Sequence, residues 1–124
     1  MYTCNHLLPR HHVSNSPIQW LNMIAHKEKI YELRLASKVN EWNLFIGKRI
    51  TFYDDYEIIV SVTSLTIYNS VEDAFNHLGN KLVPIPRITK DEVLNLYRSF
   101  YGDKISNRVV AIGIKPIEIC ISKI

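Results

Sequence analysis

From Arg108 to Lys115 the chain reads Arg-Val-Val-Ala-Ile-Gly-Ile-Lys, and this run constrains the fold more than any other segment. Its β-branched residues favour a strand. A strand with one face in water alternates apolar and polar side chains, and this one does not. It is therefore expected at the centre of a sheet, covered on both faces.

Three helix starts stand out as candidates for that cover. Ser16-Pro17-Ile18-Gln19 and Thr89-Lys90-Asp91-Glu92 both read as capping boxes, and Ser70-Val71-Glu72-Asp73 repeats the logic with Asp. Apolar residues follow each start at helical spacing: Ile18, Leu21 and Ala25 with Trp20 and Ile24, then Val71, Ala74, Phe75 and Leu78. In the third helix they are Val93, Leu94, Leu96, Tyr97, Phe100 and Tyr101. Gly79 and Gly102 end the second and third helices. Pro84-Ile85-Pro86 marks a rigid loop between them.

The remaining segments read as strands. Ile30 to Leu35 is one; Lys48 to Tyr53 turns at Asp54-Asp55 into Glu57 to Tyr68. Thr3 to Leu8 is a candidate first strand. Ile117 to Ser122 alternates and is expected as an edge strand or as a tail packed on a partner. Five to six strands with two to three inserted helices do not suggest a doubly wound sheet. They predict an α+β domain, a small mixed β-barrel with helices outside it.

At 124 residues the chain is expected to be a single domain. Hydrophobic residues at 47% and charged residues at 22% exclude a disordered chain. The net charge of +3 is compatible with nucleic acid but short of a charge-driven binder. No apolar run reaches membrane-spanning length, and the first residues lack the basic end and apolar stretch of a signal peptide. An intracellular location, cytoplasmic or nuclear, is expected. Cys4 and Cys120 are then read as free thiols, with a terminal disulfide as the alternative.

The charges that invite chemistry are Lys29, Glu32 and Arg34. Glu32 and Arg34 lie two apart on a strand and share a face, with Lys29 at the strand entry. Two readings stand: a ligand site, or an ion-pair network bridging sheet and helix. Tyr97, Arg98, Tyr101, Lys104 and Arg108 are either a stacking and phosphate-binding surface or core tyrosines beside solvated charges. Trp42 either stacks on a base or plugs the end of the barrel. Cys4, His6, His11 and His12 have no structural-zinc spacing, so no metal or cofactor is expected, and His11 and His12 read as exposed loop residues. Ser64 and Ser70 have no base at a telling distance, and four scattered glycines make no phosphate loop.

One ordered set of residues resembles a known family. His6-Leu7, Lys29/Glu32/Arg34/Leu35, Gly47/Ile50/Phe52, Val62/Leu65/Tyr68/Ser70, Tyr97/Phe100/Tyr101 and Val109 to Ile114 together look like an ASCH domain, of the PUA-like superfamily of small β-barrels. The resemblance covers residues 6–115, leaving 116–124 as a final strand or tail. The family usually has glycine two residues before the motif lysine, where this chain has Lys27. It usually has aspartate after the turn glycine, where this chain has Lys48. Both departures add positive charge near the expected cleft.

The resemblance implies binding of RNA or another nucleic acid. Lys29 and Arg34 are expected on phosphates, Glu32 on a base edge or on Arg34, Lys27 and Lys48 at the rim, and Tyr97 and Arg98 on the same surface. Some family members resemble this chain more loosely and are ribonucleases or nucleoside amidohydrolases. In the amidohydrolases a lysine activates a threonine at the position of Glu32, and a later glutamate donates a proton. This chain keeps Lys29, has a carboxylate in place of the hydroxyl, and reads Asn76-His77-Leu78-Gly79-Asn80 where that acid belongs. The alternative function is thus an RNA-processing enzyme using Lys29 and Glu32. A third is pairing with a partner or a second copy through residues 117–124.

Overall fold

The computed structural model describes residues 7–120. They form β1 (Arg10–His12), α1 (Trp20–Ala25), β2 (Tyr31–Leu35), α2 (Ala36–Val39), β3 (Arg49–Tyr53), β4 (Glu57–Tyr68), α3 (Val71–Leu78), α4 (Lys90–Tyr101) and β5 (Val109–Cys120). Short 3-10 turns lie at Asn40–Trp42, Gly79–Lys81 and Gly102–Ser106. The strands make one sheet in the order β1-β3-β4-β5-β2, antiparallel except for β1 and β3.

The long strands explain the burial pattern. Val109 to Ile114 of β5 are all buried, and this half lies between β4 and β2. Glu57 to Val60 of β4 are likewise buried where that strand lies between β3 and β5. Past their second neighbour both strands become exposed, at Leu65 and Ile67 in one and Ile117 and Ile119 in the other. The expectation of a central, doubly covered strand holds. The expected separate strand at 117–122 does not: residues 117–120 continue β5 through Pro116, which pairs with Val60 at a bulge where a missing N–H is tolerated. Residues 121–124 lie outside the described part.

The α+β class is observed, but the sheet is open rather than closed into a barrel. Among the described residues its edges are β1, three residues long, and β2, five residues long, with no ladder between them. A side chain spans the opening instead. Arg34 of β2 donates through Nη2 to the His12 carbonyl of β1 at 2.7 Å.

Caps at Ser70 and Thr89 form as the sequence predicts. Ser70 accepts from the Asp73 amide, and Thr89 exchanges both capping-box bonds with Glu92. The first box does not form, and α1 begins at Trp20 with no cap from its own N-terminal residue. Buried Asn15 takes that role from outside the helix. Its Oδ1 accepts from the Asn22 amide at 3.0 Å, while its own amides bond Asp54 and Asp55. Among the described residues the first strand is Arg10–His12; the expected strand at Thr3 to Leu8 falls mostly on residues 3–6, outside the described part, and Leu7 and Leu8 lie in a turn. His11 and His12 are therefore strand residues, not loop residues. Cys120 is disulfide-bonded, correcting the free-thiol expectation there; Cys4 and His6 lie outside the described residues. No helix among the described residues is long and apolar enough to cross a membrane.

Candidate functional site

A turn at the end of α1 aims Lys29. Lys27 takes a left-handed conformation (φ 62°), its amide bonds the Ile24 carbonyl, and the Glu28 amide reaches back to Met23. This is a Schellman turn with lysine where glycine is usual. The chain then enters β2 with the Lys29 side chain pointing inward, only 2% exposed. Nζ donates to the Leu82 carbonyl at 2.6 Å, lies 4.9 Å from the Trp20 ring centre, and is 3.9 Å from Glu32 Oε1. Burial lowers the Lys29 pKa to about 8; Glu32 opposes this and Arg34 adds to it.

On β2 the two-residue period places Glu32 and Arg34 together. Arg34 donates from Nε and Nη2 to a single oxygen, Glu32 Oε2, at 3.0 and 2.7 Å. The other oxygen, Oε1, is the one that faces Lys29. Burial alone would lower the Arg34 pKa, but the charge of Glu32 and its hydrogen bonds outweigh this and raise it. At pH 7, below the Lys29 pKa of about 8, two cations therefore flank one carboxyl group. Tyr97 and Tyr101 of α4 stack across from β2 with ring centres 6.1 Å apart, and the Tyr101 hydroxyl donates to the Leu33 carbonyl. Burial, then Glu32, raises both phenol pKa values, so both stay protonated donors.

These groups line a cavity of about 200 Å³ in the opening between β1 and β2. Lys29, Glu32, Arg34 and Tyr97 belong to its wall, with His12, Val13, Ser14, Trp20, Leu33, Phe100 and Tyr101. A larger depression of about 400 Å³ shares Arg34, Phe100 and Tyr101 with it and adds Leu35, Lys38, Trp42 and Lys104.

Of the seven residues that the resemblance assigns to nucleic acid, three are not on the cavity wall. Lys27 is exposed on the Schellman turn. Lys48 donates to the Trp42 and Asn43 carbonyls and so fixes the turn that carries Trp42. Arg98 bonds Asn95 on the outside of α4. Trp42 itself stacks on His11, with ring centres 3.5 Å apart, and the Arg34 guanidinium lies 5.4 Å from its ring centre. Burial, then the charges of Arg34 and Lys48, lowers the His11 pKa to about 4, so that ring is neutral at pH 7. Trp20, Ser14 and His12 carry no sequence signal for the cavity; the loop between β1 and α1 brings them there. No group of residues suited to hold a metal occurs among the described residues.

No family model matches the chain, and no curated protein matches it in sequence. Solved structures do match it in three dimensions. Hypothetical protein PH0355 superposes with a TM-score of 0.74 at 23% identity, over 87% of this chain and 97% of that one. Protein PF0455 from Pyrococcus furiosus gives 0.68 at 24%, over 90% and 99%. A variant of the ASCH protein from Zymomonas mobilis gives 0.59 at 12%, over 89% and 72%. The chain has the ASCH-domain fold. On the ASCH fold of this chain the cavity occupies the opening that the sheet leaves unclosed, and the lysine, glutamate and arginine of the sequence resemblance all reach it.

Proposed function

We propose that this ASCH-fold domain binds nucleic acid, with single-stranded RNA as the form expected, by taking an unpaired base into the cavity beside β2. One observation carries the reading: a buried ammonium, a carboxylate oxygen and a guanidinium line one opening together with Trp20, Tyr97 and Phe100. An unstacked base offers donors and acceptors on its edges and a flat face, which suit polar groups set among rings. In this reading Lys29 and Glu32 Oε1 address the base edge from within. Arg34, part-exposed at the mouth, addresses a phosphate. Titration with short single-stranded RNAs at about 50 and 200 mM salt tests it. Binding that weakens with a shallow slope, reflecting few phosphates, supports the reading; no binding, or affinity indifferent to salt, rejects it.

The lowered Lys29 pKa favours a second reading, a hydrolase acting on RNA or modified nucleosides with Lys29 as general base. A lysine near pH 8 is about one-tenth deprotonated at pH 7, enough for proton transfer. Incubation with RNA and modified nucleosides, alongside Lys29→Met, distinguishes the two. Turnover that vanishes in the variant supports the enzyme; binding without turnover supports the module.

A further inference from the structure

We propose that the larger depression is a subsite for a second nucleotide, so that the ligand is an oligonucleotide of at least two residues rather than a free nucleoside. The inference rests on the nucleic-acid reading above and extends it to the substrate class. Size is the first argument. The inner cavity, about 200 Å³, is below the range of roughly 300–1,000 Å³ common for sites that enclose a whole small molecule. It accommodates a base but leaves sugar and phosphate outside. The neighbouring depression, about 400 Å³, shares Arg34, Phe100 and Tyr101 with it, so the two spaces adjoin across these side chains and a chain leaving one is within reach of the other.

Charge is the second argument. Lys38, in the last turn of α2, and Lys104, in the 3-10 turn after α4, converge on this depression from opposite ends of the sequence. Neither is in an ion pair among the described residues, and no carboxylate lines the depression. The cations of the inner cavity are engaged with Glu32, whereas these two face solvent uncompensated. A phosphodiester supplies the matching anion.

Phe100 supplies the third. It is 52% exposed at the junction of the two spaces, steadied by edge contacts to Tyr97 and Tyr101. A large aromatic ring held at the border of two adjoining spaces is a surface on which a base can stack while its phosphate lies toward Lys38 and Lys104.

The test compares the four ribonucleosides with dinucleoside monophosphates, by calorimetry or fluorescence, on the wild type and on Lys38→Ala/Lys104→Ala. The dinucleotide is expected to bind at least tenfold tighter than its best nucleoside at low salt. The double variant is expected to lose most of that gain while holding nucleoside affinity within twofold. Both lysines are exposed, so folding should survive; Lys38→Glu alone provides an independent variant that should depress dinucleotide binding further. A dinucleotide no tighter than the nucleoside, or a gain that neither variant reduces, overturns the second subsite while leaving the base cavity standing. Failure of every nucleoside and dinucleotide to bind overturns the nucleic-acid reading itself, and the subsite with it.

Discussion

Lys29 holds its proton loosely because almost no water reaches it, and one hydrogen bond to Leu82 with a carboxylate 3.9 Å away compensates only in part. Its ε-methylene signal in NMR should titrate near pH 8, against an ordinary 10.5. A midpoint at the ordinary value would show the ammonium to be hydrated. The sign of the effect on stability follows. Between about pH 8 and 10.5 the unfolded chain holds the Lys29 proton and the folded chain has lost it, so stability should rise with pH across that window. Below pH 8 the buried charge is a constant cost, and Lys29→Met should abolish the rise. His11 behaves alike at the acid end. Its folded pKa of about 4 against 6.5 unfolded means that stability contributed by the neutral ring is lost as pH falls from 6.5 to 4. In His11→Phe that loss should be reduced, as urea melts at pH 7 and 4.5 would show. The spacing of residues 32 and 34 is legible in the sequence because a strand's period is two. The direction of Lys29 is not, because a turn in left-handed backbone decides it.

Elements carry two further expectations. Lys27 occupies the glycine position of the Schellman turn, and a side chain is strained there. Lys27→Gly should stabilise the protein by about 0.5–1 kcal/mol and leave ligand affinity unchanged, since Lys27 is not on the cavity wall. A loss of stability would show that the lysine makes a compensating contact. At the β4 bulge, Gly113 lies so close to Ser64 that an added Cβ would meet both its hydroxyl and its backbone nitrogen. Gly113→Ala should therefore cost about 1–3 kcal/mol in denaturant melts, through forced movement of a buried strand. Helices α3 and α4 are readable in the sequence because Ser70 and Thr89 cap them locally. The start of α1 is not, because its cap is Asn15, held in place by Asp54 and Asp55 of the distant β3–β4 turn.

For the molecule as a whole, Arg34 is the link across an unclosed sheet. It joins β2 to β1, satisfies the buried Glu32, and borders both the inner cavity and its larger neighbour. Arg34→Met should cost about 3 kcal/mol, because it removes both hydrogen bonds to the buried Glu32 and leaves it only Lys29, 3.9 Å away; adding Glu32→Gln should restore part of that loss. Equal and additive losses would mean the two residues act independently. What the sequence determines here is periodic or local: the buried run of β5, the capped helices, the shared face of Glu32 and Arg34. Such features depend on neighbours a few residues away, and the chain encodes them directly. Closure of the sheet, the inward turn of Lys29, and the meeting of Trp20, Arg34 and Phe100 around one opening depend on groups tens of residues apart. Only packing fixes those distances, which is why the sequence predicts a barrel and the protein holds an open sheet bridged by a guanidinium.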